Sequence, residues 1–143
     1  MTYPAPAAPK EAPKNLPDVT EPKSAPFWEA AKNHVLVAQR CGDCGDVRFP
    51  YVELCPKCWS TNQSWEPTTP EGELYSFVVY HRALDPSKKD DIPYVIGRVV
   101  TDEGVIFNVR LDTAPGEAVV GMRVKASWHD VTDEVTLLRF AAA

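Results

Sequence analysis

Every cysteine of the chain falls in one stretch, CGDCGDVRFPYVELCPKC, residues 41–58. The pattern is C-x2-C-x10-C-x2-C, with Cys41, Cys44, Cys55 and Cys58 as candidate ligands. Each pair is a candidate knuckle, in which the backbone folds back over a metal-bound sulfur. Gly42 and Gly45 supply the open backbone this needs in the first pair, and Pro56 stiffens the second, where Trp59 follows instead of glycine. Four thiolates at this spacing close a tetrahedral shell around zinc. A complete shell leaves no open coordination position, so the metal is structural and holds together a unit too small to build its own core. Rubredoxin-type iron uses similar knuckles, usually with a longer spacer. A thioredoxin-type dithiol needs one C-x-x-C at a helix start in a βαβ setting, which this chain lacks. If all four sulfurs are ligands, no cysteine remains as a nucleophile.

Other chemistry is sparse. His34, His81 and His129 are scattered, and none has a metal-like partner two to four residues away. There is no G-x-S-x-G, no Walker A and no G-x-G-x-x-G. Asp90, Asp91, Asp102 and Glu103 fall in predicted turns, where solvation accounts for them. Nothing assembles a nucleophile, a base and an oxyanion hole.

The elements that must position the cysteines follow from periodicity. Seven of the fourteen prolines lie in residues 1–26, a segment too poor in apolar surface to offset its ordering entropy. Residues 1–23 therefore read as a disordered tail, or as an arm ordered by a partner. Order begins near Ser24-Ala25-Pro26, where a short helix over Phe27–Asn33 carries Phe27, Trp28 and Ala31. Phe27 and Trp28 pad the small metal unit or reach another subunit. Val35–Arg40 is a strand leading into Cys41, and residues 24–70 make one helix-plus-ribbon unit. From residue 71 to 143 the pattern is strand: Leu74–Arg82, Tyr94–Thr101, Val105–Leu111, Met122–His129 and Val135–Phe140. Val105, Phe107, Val109 and Leu111 alternate with Ile106, Asn108 and Arg110, and the fourth strand alternates likewise. Five short alternating strands without intervening helix predict a mainly β protein ending in a small antiparallel barrel of the OB type.

Composition narrows the partners. At 143 residues and 44% apolar, the chain holds one ordinary domain or two small units. No apolar run approaches the roughly 18 residues of a membrane helix, and the N-terminus has no signal-peptide core, so a cytoplasmic protein is expected. The net charge is −5, and residues 71–143 hold twelve carboxylates against eight Lys and Arg. Phosphate backbones demand a basic footprint, so the acidic half argues against general nucleic-acid binding.

The order of features resembles a known family: FWEAAKNH, then RCGDCG, an FP, CPKCW, Trp65, and EGELYSFVVYHR leading into the barrel. It is similar to the rubredoxin-like zinc-ribbon plus OB-fold proteins associated with acyl-CoA enzymes, over about residues 24–140. The resemblance implies a non-catalytic accessory subunit of a thiolase or thiolase-like enzyme, an acyltransferase or aldolase, in a hetero-oligomer with two small and two large subunits. It places the catalytic residues on the partner and gives the ribbon and barrel an interface role, with a possible share in the CoA-ester site. Trp59 departs from the small residue that often follows the second knuckle. A CoA role requires cations for the phosphates of the nucleotide, and Arg82, Lys88, Lys89 and Arg98 are the candidates. The alternative function is a free-standing OB-fold module that binds single-stranded nucleic acid on an aromatic face.

Overall fold

The computed structural model describes residues 15–143; most of the predicted tail lies outside them. Residues 15–23, read with that tail, run beside the ribbon. The Trp65 indole donates to the Lys23 carbonyl at 3.0 Å, and Lys23 pairs with Glu53. The helix α1 spans Ala25–Lys32. Ser24 stands at its N-cap, and Pro26 sits in the first turn, where its missing N–H removes no helical bond. One face buries Phe27 and Ala31. The helix stops at Asn33, and His34 then takes a left-handed backbone with φ 57°. A side chain is disfavoured there, and this one is held from outside. Its ring stacks on Trp128 at 5.8 Å, and Nε2 lies 3.0 Å from the Asp130 carboxylate.

Strand β1 (Val37–Cys41) is the centre of a three-stranded antiparallel sheet, flanked by β2 (Val47–Arg48) and β3 (Gln63–Pro67). The chain then enters a closed barrel: β4 (Glu71–Tyr80), β5 (Tyr94–Thr101), β6 (Ile106–Leu111), β7 (Arg123–Asp130) and β8 (Thr136–Ala142). Around the wall the order is β4-β5-β6-β8-β7, with β7 returning to β4. The mainly β class, the short helix and the five-stranded barrel agree with the sequence reading.

The predicted alternation is the pleat of the wall. Leu74, Val95, Val99, Phe107, Val124 and Phe140 point inward and are fully buried. Each such side chain contributes about 1.5–3 kcal/mol. Gly97 faces the same interior, where a Cβ would stand 2.8 Å from Leu74 Cδ1, so glycine leaves the space the leucine fills.

Two places in the wall are thin. β6 and β8 run parallel and share one bridge, Leu111 with Phe140. β7 meets β4 over Glu71–Glu73, with one further exchange between Leu74 and the Gly121–Met122 turn. From Ser76 to Tyr80, after a bulge between Leu74 and Ser76, β4 is paired along its β5 side alone among the described residues.

Ribbon and barrel meet through Phe49, in the loop after β2. Its ring lies 5.0 Å from Phe27 and 4.8 Å from Phe107. Phe27 is buried at this seam, while Trp28 is half-buried. Among the described residues no helix is long and apolar enough to cross a membrane.

Candidate metal centre and cleft

Each cysteine pair is built the same way. In the first, Cys41 ends β1, and the Gly45 N–H donates to the Cys41 carbonyl at 2.9 Å with Gly45 at φ 77°. In the second, the Trp59 N–H donates to the Cys55 carbonyl at 2.8 Å with Trp59 at φ 66°. Trp59 thus occupies the glycine position of the knuckle and keeps its turn, with the side chain 75% exposed. The two knuckles are laced together by Gly42 N–H to the Asn62 carbonyl at 2.7 Å and by Ser60 with Asp43.

This brings all four sulfurs within 4.8 Å of one another. Cys41 and Cys58 are 3.5 Å apart, Cys44 and Cys55 3.6 Å. A zinc tetrahedron with Zn–S near 2.3 Å has sulfur edges of about 3.8 Å, so the donor set fits a tetrathiolate ion. No pair is joined as a disulfide. Sulfurs this close cannot all ionise without a cation. N–H groups of Cys44 and Asp43 draw the Cys41 thiol down to about 5. At Cys58 the Ser60 N–H acts in the same direction, but local desolvation at the sulfur and the three other sulfurs outweigh it and push the thiol up to about 12.

Around the sulfurs lies a polar shell that sequence reading missed. Arg48 Nη2 donates to Cys55 Sγ at 2.9 Å, and its Nη1 donates to Gln63 at 2.6 Å and Gln39 at 3.2 Å. Gln39 is fully buried and clamps the loop by exchanging hydrogen bonds with the Val52 N–H (3.0 Å) and carbonyl (2.6 Å). Lys57 and Arg48 both reach the Asp46 carboxylate, Lys57 foremost, and hold it below its usual range. A polar residue at strand spacing gives no sign of being inward, so only the R in DVRFP between the cysteine pairs could have drawn attention.

A cleft of about 290 Å³ opens between α1 and the thin β6–β8 seam. Trp28 and Leu138 form apolar wall, and Lys88, Tyr94, Arg110 and Arg139 the polar side. Tyr94 stacks on Tyr80 at 5.1 Å and lies under the Arg110 guanidinium at 4.7 Å and the Lys88 ammonium at 5.9 Å. Of the four cations proposed for CoA phosphates, Lys88 lines this cleft. Arg98 does not line it but follows Ile96 by two residues on β5, with Nε on the lining residue Asn108 at 3.2 Å. Arg82 and Lys89 are exposed and do not line it. Arg110 and Arg139, which do, went unselected because β6 and β8 are far from the β4–β5 loop in sequence. Asp91 and Asp112 pair with them at 2.9 and 3.1 Å, and Asp102 holds Arg123 through two bonds of 2.8 Å. Glu103 accepts from Thr69. Three of the four turn carboxylates are thus anchoring groups, beyond what solvation explains.

Residues 28–63 match the family described as ChsH2, rubredoxin-like zinc ribbon domain, and residues 65–129 that described as ChsH2, C-terminal OB-fold domain. A probable enoyl-CoA hydratase alpha subunit of Thermomonospora curvata is 35% identical over 82% of this chain, which spans only 37% of that protein's length. A DUF35 domain-containing scaffold protein of Methanocaldococcus jannaschii is 32% identical over 75% of this chain and 77% of its own. The benzoylsuccinyl-CoA thiolase subunit BbsA of Thauera aromatica is 29% identical over 76% and 74%. Among solved structures, a chain of the Ltp2-ChsH2(DUF35) aldolase superposes with a TM-score of 0.77 at 31% identity, covering 88% of this chain and 98% of that one. A DUF35 protein of Sulfolobus solfataricus shares the fold, with a TM-score of 0.60 at 16% identity. With both halves matched in order, and the ribbon and barrel in place, this chain belongs to the ChsH2 (DUF35) family of rubredoxin-like zinc-ribbon and OB-fold proteins.

Proposed function

We propose that this chain is the non-catalytic accessory subunit of a thiolase or thiolase-like acyl-CoA enzyme that makes or breaks a C–C bond, with Cys41, Cys44, Cys55 and Cys58 holding one structural zinc. The observation that carries the reading is the convergence of all four sulfurs on one point. It leaves no thiol for the attack a thiolase requires, so the nucleophile belongs to a partner. The names of relatives, a thiolase subunit and an aldolase component, support the same division of labour. Zinc supplies rigidity here: it fixes two knuckles and, through the loop that carries Phe49, the seam against the barrel.

The complex is cytoplasmic and built from two small and two large subunits. The CoA ester is contacted by the cleft face, where Lys88 and, within reach of it, Arg98 answer the nucleotide phosphates, while Arg82 and Lys89 add charge nearby. Arg110 and Arg139 belong with them on geometry. The alternative of single-strand binding has weaker support, because Arg110, Arg123 and Arg139 each face a carboxylate instead of forming an open basic stripe.

The test is affinity purification of the tagged chain from its source cells. A stoichiometric thiolase-like protein with its own catalytic cysteine is expected, and recovery of a zinc-loaded chain alone would overturn the subunit reading. In that complex, removing the charges of Lys88, Arg98, Arg110 and Arg139 is expected to raise KM for the acyl-CoA; unchanged kinetics would remove the cleft from the CoA site.

A further inference from the structure

The four sulfurs are not equivalent. Cys44 and Cys58 are exposed, whereas Cys41 and Cys55 are 1% exposed. A zinc tetrathiolate carries a net charge of about −2, since four thiolates surround one divalent ion. Water screens the part of that charge on the exposed sulfurs. The part on the buried sulfurs needs a donor from the protein, because uncompensated charge in a dry site is costly.

One cation reaches it. The Arg48 side chain is itself only 12% exposed, and its Nη2 lies 2.9 Å from the Cys55 sulfur. Nη1 of the same guanidinium bonds Gln63, whose amide nitrogen in turn donates to the Ser60 carbonyl at 3.0 Å, beside the second knuckle. The buried Cys55 sulfur is therefore served directly, and the loop beyond Cys58 is tied to the same guanidinium through an amide. Nε is fixed by Asp46 at 3.2 Å, so the fork cannot turn away. The remaining contact of Nη1 is Gln39, which holds both the N–H and the carbonyl of Val52. Val52 lies three residues beyond Phe49, the ring that closes the ribbon onto the barrel.

We propose that Arg48 is the internal counter-ion of the metal centre: it sets how tightly zinc is retained and passes the state of the site to the ribbon–barrel seam through Gln39 and Val52. Arg48 is a positioning residue that touches neither the metal nor any substrate. A lysine cannot replace it, since one ammonium cannot reach a sulfur, two amides and a carboxylate in the plane of a fork. Loss of such a partner behind a metal ligand typically weakens the site about 10- to 100-fold.

The inference rests on the reading that the four cysteines hold zinc, so zinc content of the full-length wild-type chain is measured first. An absence of bound zinc there defeats that reading, and this inference with it. Given zinc in the wild type, its transfer to an excess of chromogenic chelator is timed for wild type, R48M and R48K, with R123M as a control for loss of a remote arginine. R48M is expected to release zinc about 10-fold faster or more, R48K at an intermediate rate and R123M at the wild-type rate. Hydrogen exchange at the Val52 amide should quicken in zinc-loaded R48M. Release from R48M within about twofold of wild type would overturn the proposal while leaving the zinc reading intact. If R48M cannot be recovered folded, R48K decides: release at least about threefold faster supports the proposal, and release at the wild-type rate overturns it.

Discussion

Phe49 and Phe107 offer a direct measure of how firmly the ribbon is fastened to the barrel. Phe107 is fully buried at the barrel end, between Phe140 at 6.0 Å and Phe49 at 4.8 Å. Phe107→Ala should cost about 3–5 kcal/mol, the range for a buried phenylalanine. Phe49 is half-buried, so Phe49→Ala should cost roughly half of that, about 2 kcal/mol. The rings touch at a tilt of 34°, and aromatic pairs of this kind are worth about 0.5–1.5 kcal/mol beyond their buried area. The double mutant should therefore be less destabilised than the sum of the single mutants by about that amount. Urea denaturation followed by tryptophan fluorescence gives all four corners of the cycle, because Trp65 and Trp28 report from the ribbon side and Trp128 from the barrel. Additivity within about 0.3 kcal/mol would mean that ribbon and barrel are not energetically joined through this pair, and the account of the seam would fail.

Further outcomes can be checked on the same protein. Gly72→Ala places a Cβ against the Val100 carbonyl and 2.6 Å from Thr101 Cα, so backbone must move; Gly97→Ala meets only the flexible ends of Leu74 and Leu111. The first should cost about 3 kcal/mol and the second about 1 kcal/mol by chemical denaturation; the reverse order would contradict the register of β4 and β5. Asp46, Asp102, Glu103 and Asp130 are held below their usual range by Lys57, Arg123, Thr69 and Thr136 respectively. A depressed folded value stabilises the protein above the unfolded value near 4 and ceases to do so as pH falls through the folded value. The melting temperature should then be flat above about pH 5 and decline below about pH 4; a melt unchanged at pH 3 would show these pairs to be inconsequential. Removal of zinc with a chelator should release one metal per chain and increase hydrogen exchange over residues 41–58 while the β signal of the barrel persists; simultaneous loss of both would show one cooperative unit.

How much was legible in the sequence depends on where the information sits. The barrel strands are readable because a wall with one wet and one dry face imposes period two, and Val105–Leu111 keeps it without a break. The four cysteines are readable because ligand chemistry tolerates no substitute. The ribbon's own strands β2 and β3 are not: one has two residues and the other reads QSWEP, with no apolar alternation. Arg48 and Gln39 are hidden for a related reason, since a polar side chain betrays nothing of its burial until its partners are placed. The cleft is hidden by topology, as Lys88, Arg110 and Arg139 come from three separate stretches of chain. Trp59 departs from the small residue that often follows the second knuckle, and the turn accepts it in a glycine conformation.

The half-paired stretch of β4 has a consequence for the isolated polypeptide. Ser76–Tyr80 carries no charged residue and no proline, the usual means by which a bare strand edge repels its own kind. Val78 is 55% exposed there, so an apolar side chain accompanies the open main-chain donors and acceptors. Such an edge is a template on which a second copy can add in register. Held alone at high concentration, the chain should oligomerise in a concentration-dependent way, visible by light scattering. A lysine in place of Val78 should suppress that association without unfolding the barrel; equal scattering from both proteins would clear the edge of responsibility. Stickiness in a purified sample would then be a property of native strand geometry, with no misfolding involved.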